Sequence, residues 1–390
     1  MTFMEKILYF LGKRIYLRLF NRLKILHNFI KQKISYGGFC ALLKKVGIQI
    51  NTVNVLTKEE KLEIDKFYKK YYGKKISYKW HNLFKKYSGK FDVRYIPNDV
   101  FIKYIYSLDL KSNKYNILRD KNFLYNLAEF SDIKVPKRYF YSINNIFFDA
   151  NNEIISKETF YNEIFNIGEI FIKPTQIEFS GNSRNCRLLN IVNGIDIFSK
   201  TNIKDIISKY YNYDFIVQER ICCHKSISDI YSKSCNTIDL NTIILNNEIK
   251  VLKPMLKVGM GECFFDYDRT SKKGLLIPIK KDGTLYDRAF CLSENKEYFS
   301  HPDTGITFKN YKIDLFPEIL KAAKKLQASI PWIPFCNMDF VIDKYGNIVV
   351  VEIEVPSCFS QIFYGEGFFG EDTKEILSFL KNKRKKSKLL

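Results

Sequence analysis

The sequence predicts an α+β protein with mixed sheets and a mostly helical N-terminal part. Three observations predict it: an apolar stripe at helical spacing near the N-terminus, alternating β and α patterns beyond residue 135, and two hairpin patterns in the C-terminal half. At 390 residues the chain can bury a large core. Two or three structural units are expected, at roughly 150 residues each. Apolar residues make up 46% and aromatics 16%, which excludes a disordered chain.

From Met4 to Ile34 the stripe of Leu8, Leu11, Ile15, Leu19, Leu23, Leu26 and Ile30 fits a long amphipathic helix. Lys6, Lys13, Arg14, Arg18, Arg22, Lys24, Lys31 and Lys33 are interleaved with it. Such a helix can lie on an anionic membrane surface, or pack its stripe on the protein's own core. Thr57 to Tyr72 reads as a second helix, with Thr57 as N-cap and Glu60 completing a capping box. The aromatic-rich stretch from Tyr78 to Tyr95 resolves into no element. Asp120 to Phe130 reads as helix, and a strand starts at Val135-Pro136.

Beyond this come a strand at Glu169–Lys173, a helix at Ile203–Tyr211 and a strand at Asp214–Gln218. Thr237–Leu245 and Glu248–Leu256 form a hairpin over Asn246-Asn247, Pro317–Ser329 a helix, and Asn337–Ile342 with Asn347–Val355 a second hairpin.

Composition narrows the function. No run of 18 apolar residues occurs, and basic residues break up the N-terminal apolar ones, so neither a membrane-spanning helix nor a signal peptide is expected. Nine cysteines without a C-x-x-C pair, and only four histidines, speak against zinc or disulfides and for reduced thiols in the cytoplasm. The adjacent Cys222 and Cys223 read as small buried hydrophobes. The net charge of +21 suggests an anionic partner, although over-use of Lys, Asn, Ile, Phe and Tyr also matches an AT-rich genome. No recognition helix or aromatic ribonucleoprotein motif accompanies the charge, so nucleic acid is not expected. The Lys381–Lys388 run reads as a frayed basic tail.

The second hairpin holds the most informative chemistry. The apolar run Ile348–Val351 ends in Glu352 and Glu354, which share one face by the two-residue strand period. A short turn at Asp343–Gly346 brings Asp339 opposite position 351 or 352. Three carboxylates gathered there would raise one another's pKa unless a cation neutralised them, and magnesium carrying nucleotide phosphates suits a site with few protein ligands. Lys173 leaves an apolar strand into a polar loop with Ser180, Gly181, Ser183 and Arg184, as a phosphate-neutralising lysine would. The strand Phe215–Ile221 turns polar at Gln218-Glu219, where a backbone edge and a carboxylate could meet adenine; a plain strand exit is the equal alternative.

The order Asp120-Lys121, Lys173, Gln218-Glu219, Asp339, Glu352-x-Glu354 is that of ATP-grasp proteins. In finer detail the chain resembles the sugar-transfer associated ATP-grasp family. Phe171-Ile-Lys-Pro, Val217-Gln-Glu-Arg-Ile, Ser234-Cys-Asn-Thr-Ile, His301-Pro-Asp-Thr-Gly305, Asn337-Met-Asp-Phe and Val351-Glu-Ile-Glu-Val-Pro356 carry the resemblance, over residues 50 to 380.

The resemblance implies an ATP-grasp fold, with two α+β subdomains gripping ATP. A basic helical segment at 1–50 and a preceding region at 51–155 would lead into a lid subdomain at 156–225, a metal-bearing subdomain at 226–380 and a tail at 381–390. It implies Lys121 and Lys173 on the phosphates with Ser180 and Arg184, and Gln218, Glu219 and Ile221 at the adenine. Asp339, Glu352 and Glu354 would take one or two Mg2+, and Lys257 and Asn236 would stand at the reacting groups. The activity implied is ligation of a carboxylate to an amine through an acyl phosphate, on a carboxylate-bearing glycan or an amino acid in cell-surface polysaccharide synthesis. Phosphotransfer to a sugar, or a membrane-associated scaffold that has lost catalysis, are the alternatives. The chain departs from the family's pattern in a glycine-poor loop after Lys173, in Asp239 and Lys257 at positions usually arginine, and in Glu354 at one commonly Asn.

Overall fold

A computed structural model describes residues 54–108, 114–176, 185–211, 213–266 and 274–388. The expected Met4–Ile34 helix, Ser180 and Arg184 lie outside them. The chain divides into two compact units, one running through Ser107 and resuming at Gly370–Leu390, the other spanning Leu108–Phe369.

The first unit is helical. Helix α1 (Lys58–Tyr71) starts at Thr57, whose hydroxyl accepts from Glu60 N while the Glu60 carboxylate accepts from Thr57 N, the expected capping box. The unresolved aromatic stretch becomes α2 (Lys79–Ser88) and the approach to α3 (Asn98–Leu108). Its rings form the core: Tyr68, Trp80, Phe84 and Tyr95 are fully buried, and Tyr68 Oη donates to Tyr95 O at 2.5 Å. The Lys381–Lys388 run continues a helix that starts at Thr373, so it is not a frayed tail. Lys381 Nζ donates to Lys70 O at 2.9 Å, and Arg384 lies over the Tyr72 ring; long basic side chains cover apolar surface in this way.

The second unit holds two sheets. In chain order after helix α4 (Asn122–Ser131), the strands are β1 (Arg138–Ile143), β2 (Ile146–Phe148), β3 (Ile154–Ile155), β4 (Gly168–Pro174), β5 (Arg187–Val192), β6 (Ile195–Asp196), β7 (Thr201–Asn202) and β8 (Phe215–Glu219). They form one sheet in the order β3-β2-β1-β8-β4-β5-β6-β7. Helices α5 (Lys157–Ile164) and α6 (Ile203–Tyr210) cover one face, packing Phe160, Ile164, Ile203, Ile206 and Ile207 on Ile170, Ile172, Phe215 and Val217. The strand period therefore sends Phe171, Lys173, Ile216 and Gln218 to the other face.

Strands β9 (Thr237–Leu245), β10 (Glu248–Val258), β11 (Leu275–Pro278), β12 (Ala289–Cys291), β13 (Lys296–Tyr298), β14 (Phe335–Ile342) and β15 (Ile348–Glu354) form the second sheet, ordered β13-β12-β11-β10-β9-β14-β15. Helix α7 (Phe316–Ser329) covers one face with Phe316, Ile319, Ala323 and Leu326 over Ile238, Leu240, Met338 and Phe340. Asn246 and Asn247 take φ of 54° and 58°, the left-handed pair that a two-residue hairpin turn requires.

Every pairing between the strands named above is antiparallel, so the expected mixed sheets are corrected. The α+β class stands. Successive hairpins fill the sheets, and the later β8 enters antiparallel between β1 and β4. No helix among the described residues is long and apolar enough to cross a membrane.

Candidate nucleotide and metal site

The uncovered face of the second sheet carries a charged row. Asp239 on β9 stands opposite Asp339 on β14, and Asp339 opposite Glu352 on β15. A one-residue bulge at Val351 sets this register, since Phe340 pairs with Val350. Glu354 stands opposite Asn337 two residues further on. Side chains directly opposite in a sheet lie within about 5.5 Å of each other at Cβ, so the three acids of the row are immediate neighbours.

Two lysines divide the row. Lys257 Nζ lies 3.0 and 2.8 Å from the two Asp339 carboxylate oxygens and 2.9 Å from Asp239 Oδ2. Asn337 Nδ2 donates to Asp239 Oδ1 at 3.0 Å. Lys121 Nζ lies 2.8 Å from Glu352 Oε1. Burial disfavours the Lys257 ammonium, but Asp239 and Asp339 outweigh it and hold its pKa well above the lysine range. Burial likewise disfavours the Glu352 carboxylate, yet Lys121 brings its pKa down to about 2. Among the described residues no three of His, Cys, Asp and Glu close on one point. Of the three acids expected to converge, Asp339 and Glu352 are set side by side, each with a lysine ammonium upon it, and Glu354 stands opposite Asn337, two residues further along β15.

Lys121 reaches the row through the backbone. Asp120 forms an antiparallel bridge with Gln176, and Lys121 N donates to Thr175 O at 2.8 Å, which fixes Lys121 beside the end of β4. Lys173 leaves that strand on the same face and donates to Val351 O, the bulge carbonyl, at 3.4 Å. Both lysines are 7% exposed. Burial, and then Lys121, lower the Lys173 pKa to about 8. A buried ammonium that is easily discharged gains from an arriving phosphate.

The expected linker residues each make contacts within the protein. The buried Gln218 accepts from Tyr125 Oη at 3.2 Å. One Glu219 carboxylate oxygen accepts from Lys137 N at 2.7 Å, which ties it to a facing backbone segment. Ile221 packs on the core of the second sheet. Asn236 is wholly buried, with its Nδ2 donating to Tyr231 O at 2.6 Å and its Oδ1 accepting from Gly259 N at 3.1 Å. The oxygen and one N–H of its amide are thus engaged by the scaffold.

His301-Pro-Asp-Thr-Gly305 closes the turn behind Lys257. His301 Nε2 meets Gly259 O at 2.8 Å while Nδ1 accepts from Asp303 N, so Nε2 carries the proton. Asp303 Oδ2 accepts from Gly261 N at 2.6 Å, and Thr304 Oγ1 donates to Ile230 O at 2.9 Å. Position 259 must be glycine, because a Cβ there would meet Ser234 Oγ at 2.5 Å and the Phe265 carbonyl at 2.6 Å.

Sequence reasoning missed three members of the site. Asn337 could have been found, two residues before Asp339 and hence on its face. Asp266 accepts from Thr237 Oγ1 and acts electrostatically on Lys257 and Asp339, through a loop contact without a local signal. The Arg138 guanidinium lies over the Tyr141 and Tyr125 rings, 3.9 and 4.6 Å from their centres, beside Gln218. Of the adjacent cysteines, Cys223 is buried as expected and Cys222 is exposed.

The model of the sugar-transfer associated ATP-grasp family matches residues 101–376. The chain belongs to that family. No curated protein sequence matches it. This ATP-grasp chain is similar to several solved structures. One is the VanG D-Ala:D-Ser ligase of Enterococcus faecalis, 15% identical, with 68% of this chain and 61% of that one covered and a TM-score of 0.40. The D-alanine-D-alanine ligase of Helicobacter pylori is 14% identical, with 67% and 61% covered and a TM-score of 0.38. The L-amino acid ligase of Bacillus licheniformis is 11% identical, with 68% and 49% covered and a TM-score of 0.37. The chain thus spans from about half to about three-fifths of the length of these structures.

Proposed function

We propose that this chain is an ATP- and magnesium-dependent ligase that joins a carboxylate to an amine, on a cell-surface polysaccharide or its precursor. The observation that carries the reading is the pairing of buried Lys121 and Lys173 at the end of β4 with the row Asp339–Glu352 on β14 and β15. Cations for phosphates and hard oxygen donors for a divalent ion meet there. The family's description supplies the link to sugar transfer.

Magnesium fits the residues present. Asp339 and Glu352 are register partners, burial pushes the Asp339 carboxyl well above the usual carboxylate range, which a divalent cation beside it would offset, and Glu354 follows on the same face. When bound, the ion would supply charge neutralisation for the nucleotide phosphates. Lys121 and Lys173 would bind those phosphates, and Lys173 would carry its charge once an anion lay beside it. Gln218 and Ile221 would border the base.

In the reaction itself, a substrate carboxylate oxygen attacks the γ-phosphorus, the bond to the β-phosphate oxygen breaks, and ADP leaves. The amine nitrogen then attacks the acyl carbon, the acyl–oxygen bond breaks, and phosphate departs as nitrogen loses a proton. Neither step requires a protein nucleophile. The chain's part is to hold the reactants in line and meet the developing charge.

The test is product formation with purified full-length protein. ADP and inorganic phosphate should form in equal amounts, only when both a carboxylate and an amine are present. ADP formation with a hydroxyl acceptor alone would replace the ligase with a phosphotransferase.

A further inference from the structure

Beside Lys121 and Lys173 stands a residue that no step above uses. Thr175 follows Lys173 by two residues, and Lys121 N donates to its carbonyl at 2.8 Å. Its own N donates to Asp214 O at 3.0 Å, which carries the β4–β8 register one step past Pro174. The strand period then puts its side chain on the face of Lys173. The backbone of Thr175 is thus fully paired. Its hydroxyl is wholly buried and has no hydrogen-bond partner among the described residues.

The other buried threonines among the described residues differ in this respect. Thr242 Oγ1 donates to Gln327 Oε1 at 2.7 Å, Thr373 Oγ1 to Gly370 O at 2.7 Å, and Thr237 Oγ1 to Asp266. A hydroxyl left buried and unpaired destabilises the free chain, and a valine of the same shape would not carry that penalty. The neighbouring ammonium groups of Lys121 and Lys173 donate and cannot accept. Three donors side by side call for an anion with several acceptor oxygens, which a phosphate group provides.

We propose that the Thr175 hydroxyl is a further phosphate contact of the nucleotide site, donating to a phosphate oxygen alongside Lys121 and Lys173. The inference rests on the nucleotide-site reading above. It gives one hydroxyl two opposite effects. Unpaired, it weakens the free chain; paired with a charged acceptor, which makes the stronger kind of hydrogen bond, it favours the bound one.

The experiment compares Thr175→Val and Thr175→Ser with the wild-type full chain, by calorimetric titration with β,γ-imido ATP and Mg2+ and by thermal unfolding without nucleotide. Thr175→Val should bind the imido nucleotide about tenfold more weakly. Its free form should nevertheless unfold about 2–4 °C higher than the wild type. Thr175→Ser keeps the donor and should bind within about twofold of the wild type. Wild-type affinity in Thr175→Val would overturn the proposal. A lower unfolding temperature or loss of folding in that variant would also overturn it, because the hydroxyl would then have a structural partner. Equal weakening in both variants would assign the effect to packing and overturn it as well. Failure of the wild type to bind the imido nucleotide would instead overturn the nucleotide-site reading, and this proposal with it.

Discussion

The two sheets of the larger unit carry opposite charges on the faces their helices leave uncovered. The eight-stranded sheet presents Lys173 with Phe171, Gln218 and Arg138, and borrows Lys121 from the segment bridged to its β4 edge. The seven-stranded sheet presents Asp239, Asp339 and Glu352 in one row, with Lys257 between the first two. The division suits a triphosphate and its counter-ion, which need cations on one side and oxygen donors on the other. It also shows which charges are rigid. The acids stand on neighbouring strands in fixed register, while the lysines reach them on long side chains.

Replacing the acids should therefore have the largest effect. Asp339→Asn together with Glu352→Gln should lower ATP-dependent ADP release by at least about a hundredfold, since removed transition-state stabilisation commonly costs that much. Steady-state assays with circular dichroism as the folding control would check it. Undiminished turnover would shift the chemistry away from the row.

Lys173 comes next. Lys173→Met should weaken nucleotide binding roughly ten- to a hundredfold, the range for a charged hydrogen bond of about 1.5–3 kcal/mol. Its pKa is lowered to about 8, so the free site holds the ammonium below that pH and loses it above. Affinity should fall as pH rises through about 8, by up to about tenfold per unit. Lys173→Arg should keep its affinity over the same range, because a guanidinium does not discharge there. Fluorescence titration at several pH values would separate the two.

Gly259→Ala tests whether the turn behind Lys257 is as tight as its contacts imply. Crowding against Ser234 and the Phe265 carbonyl should cost about 1–3 kcal/mol of stability, measured by denaturant unfolding. The smallest effect belongs to the helical unit: Thr57→Ala should cost about 1 kcal/mol and leave nucleotide affinity unchanged, having removed only a helix cap.

The same contrast explains what the sequence could tell. Strand period and a short turn were enough to place Asp339 opposite position 351 or 352, because sheet register is local to a hairpin, and the bulge at Val351 then selects Glu352. The capping box at Thr57 and Glu60 was readable for the same reason. Lys121 was not readable locally. Its place depends on the Asp120–Gln176 bridge, which joins segments more than 50 residues apart. Asp239 read as a lost arginine contact, and only the pairing of β9 with β10 and β14 shows it beside Lys257. The helix within the aromatic stretch from Tyr78 to Tyr95 was legible as well, since Trp80, Leu83, Phe84 and Tyr87 stand at i, i+3, i+4 and i+7, but it is only ten residues long and lies among further aromatic residues.

The central claim is that the Asp339–Glu352 pair and the β4-edge lysines form one nucleotide–metal site. Calorimetric binding of β,γ-imido ATP with and without Mg2+ tests it most directly, in the wild type and in the Asp339→Asn/Glu352→Gln variant. The claim predicts that Mg2+ tightens wild-type binding at least about tenfold and leaves the variant's affinity unchanged. Equal strengthening by Mg2+ in both proteins would contradict it.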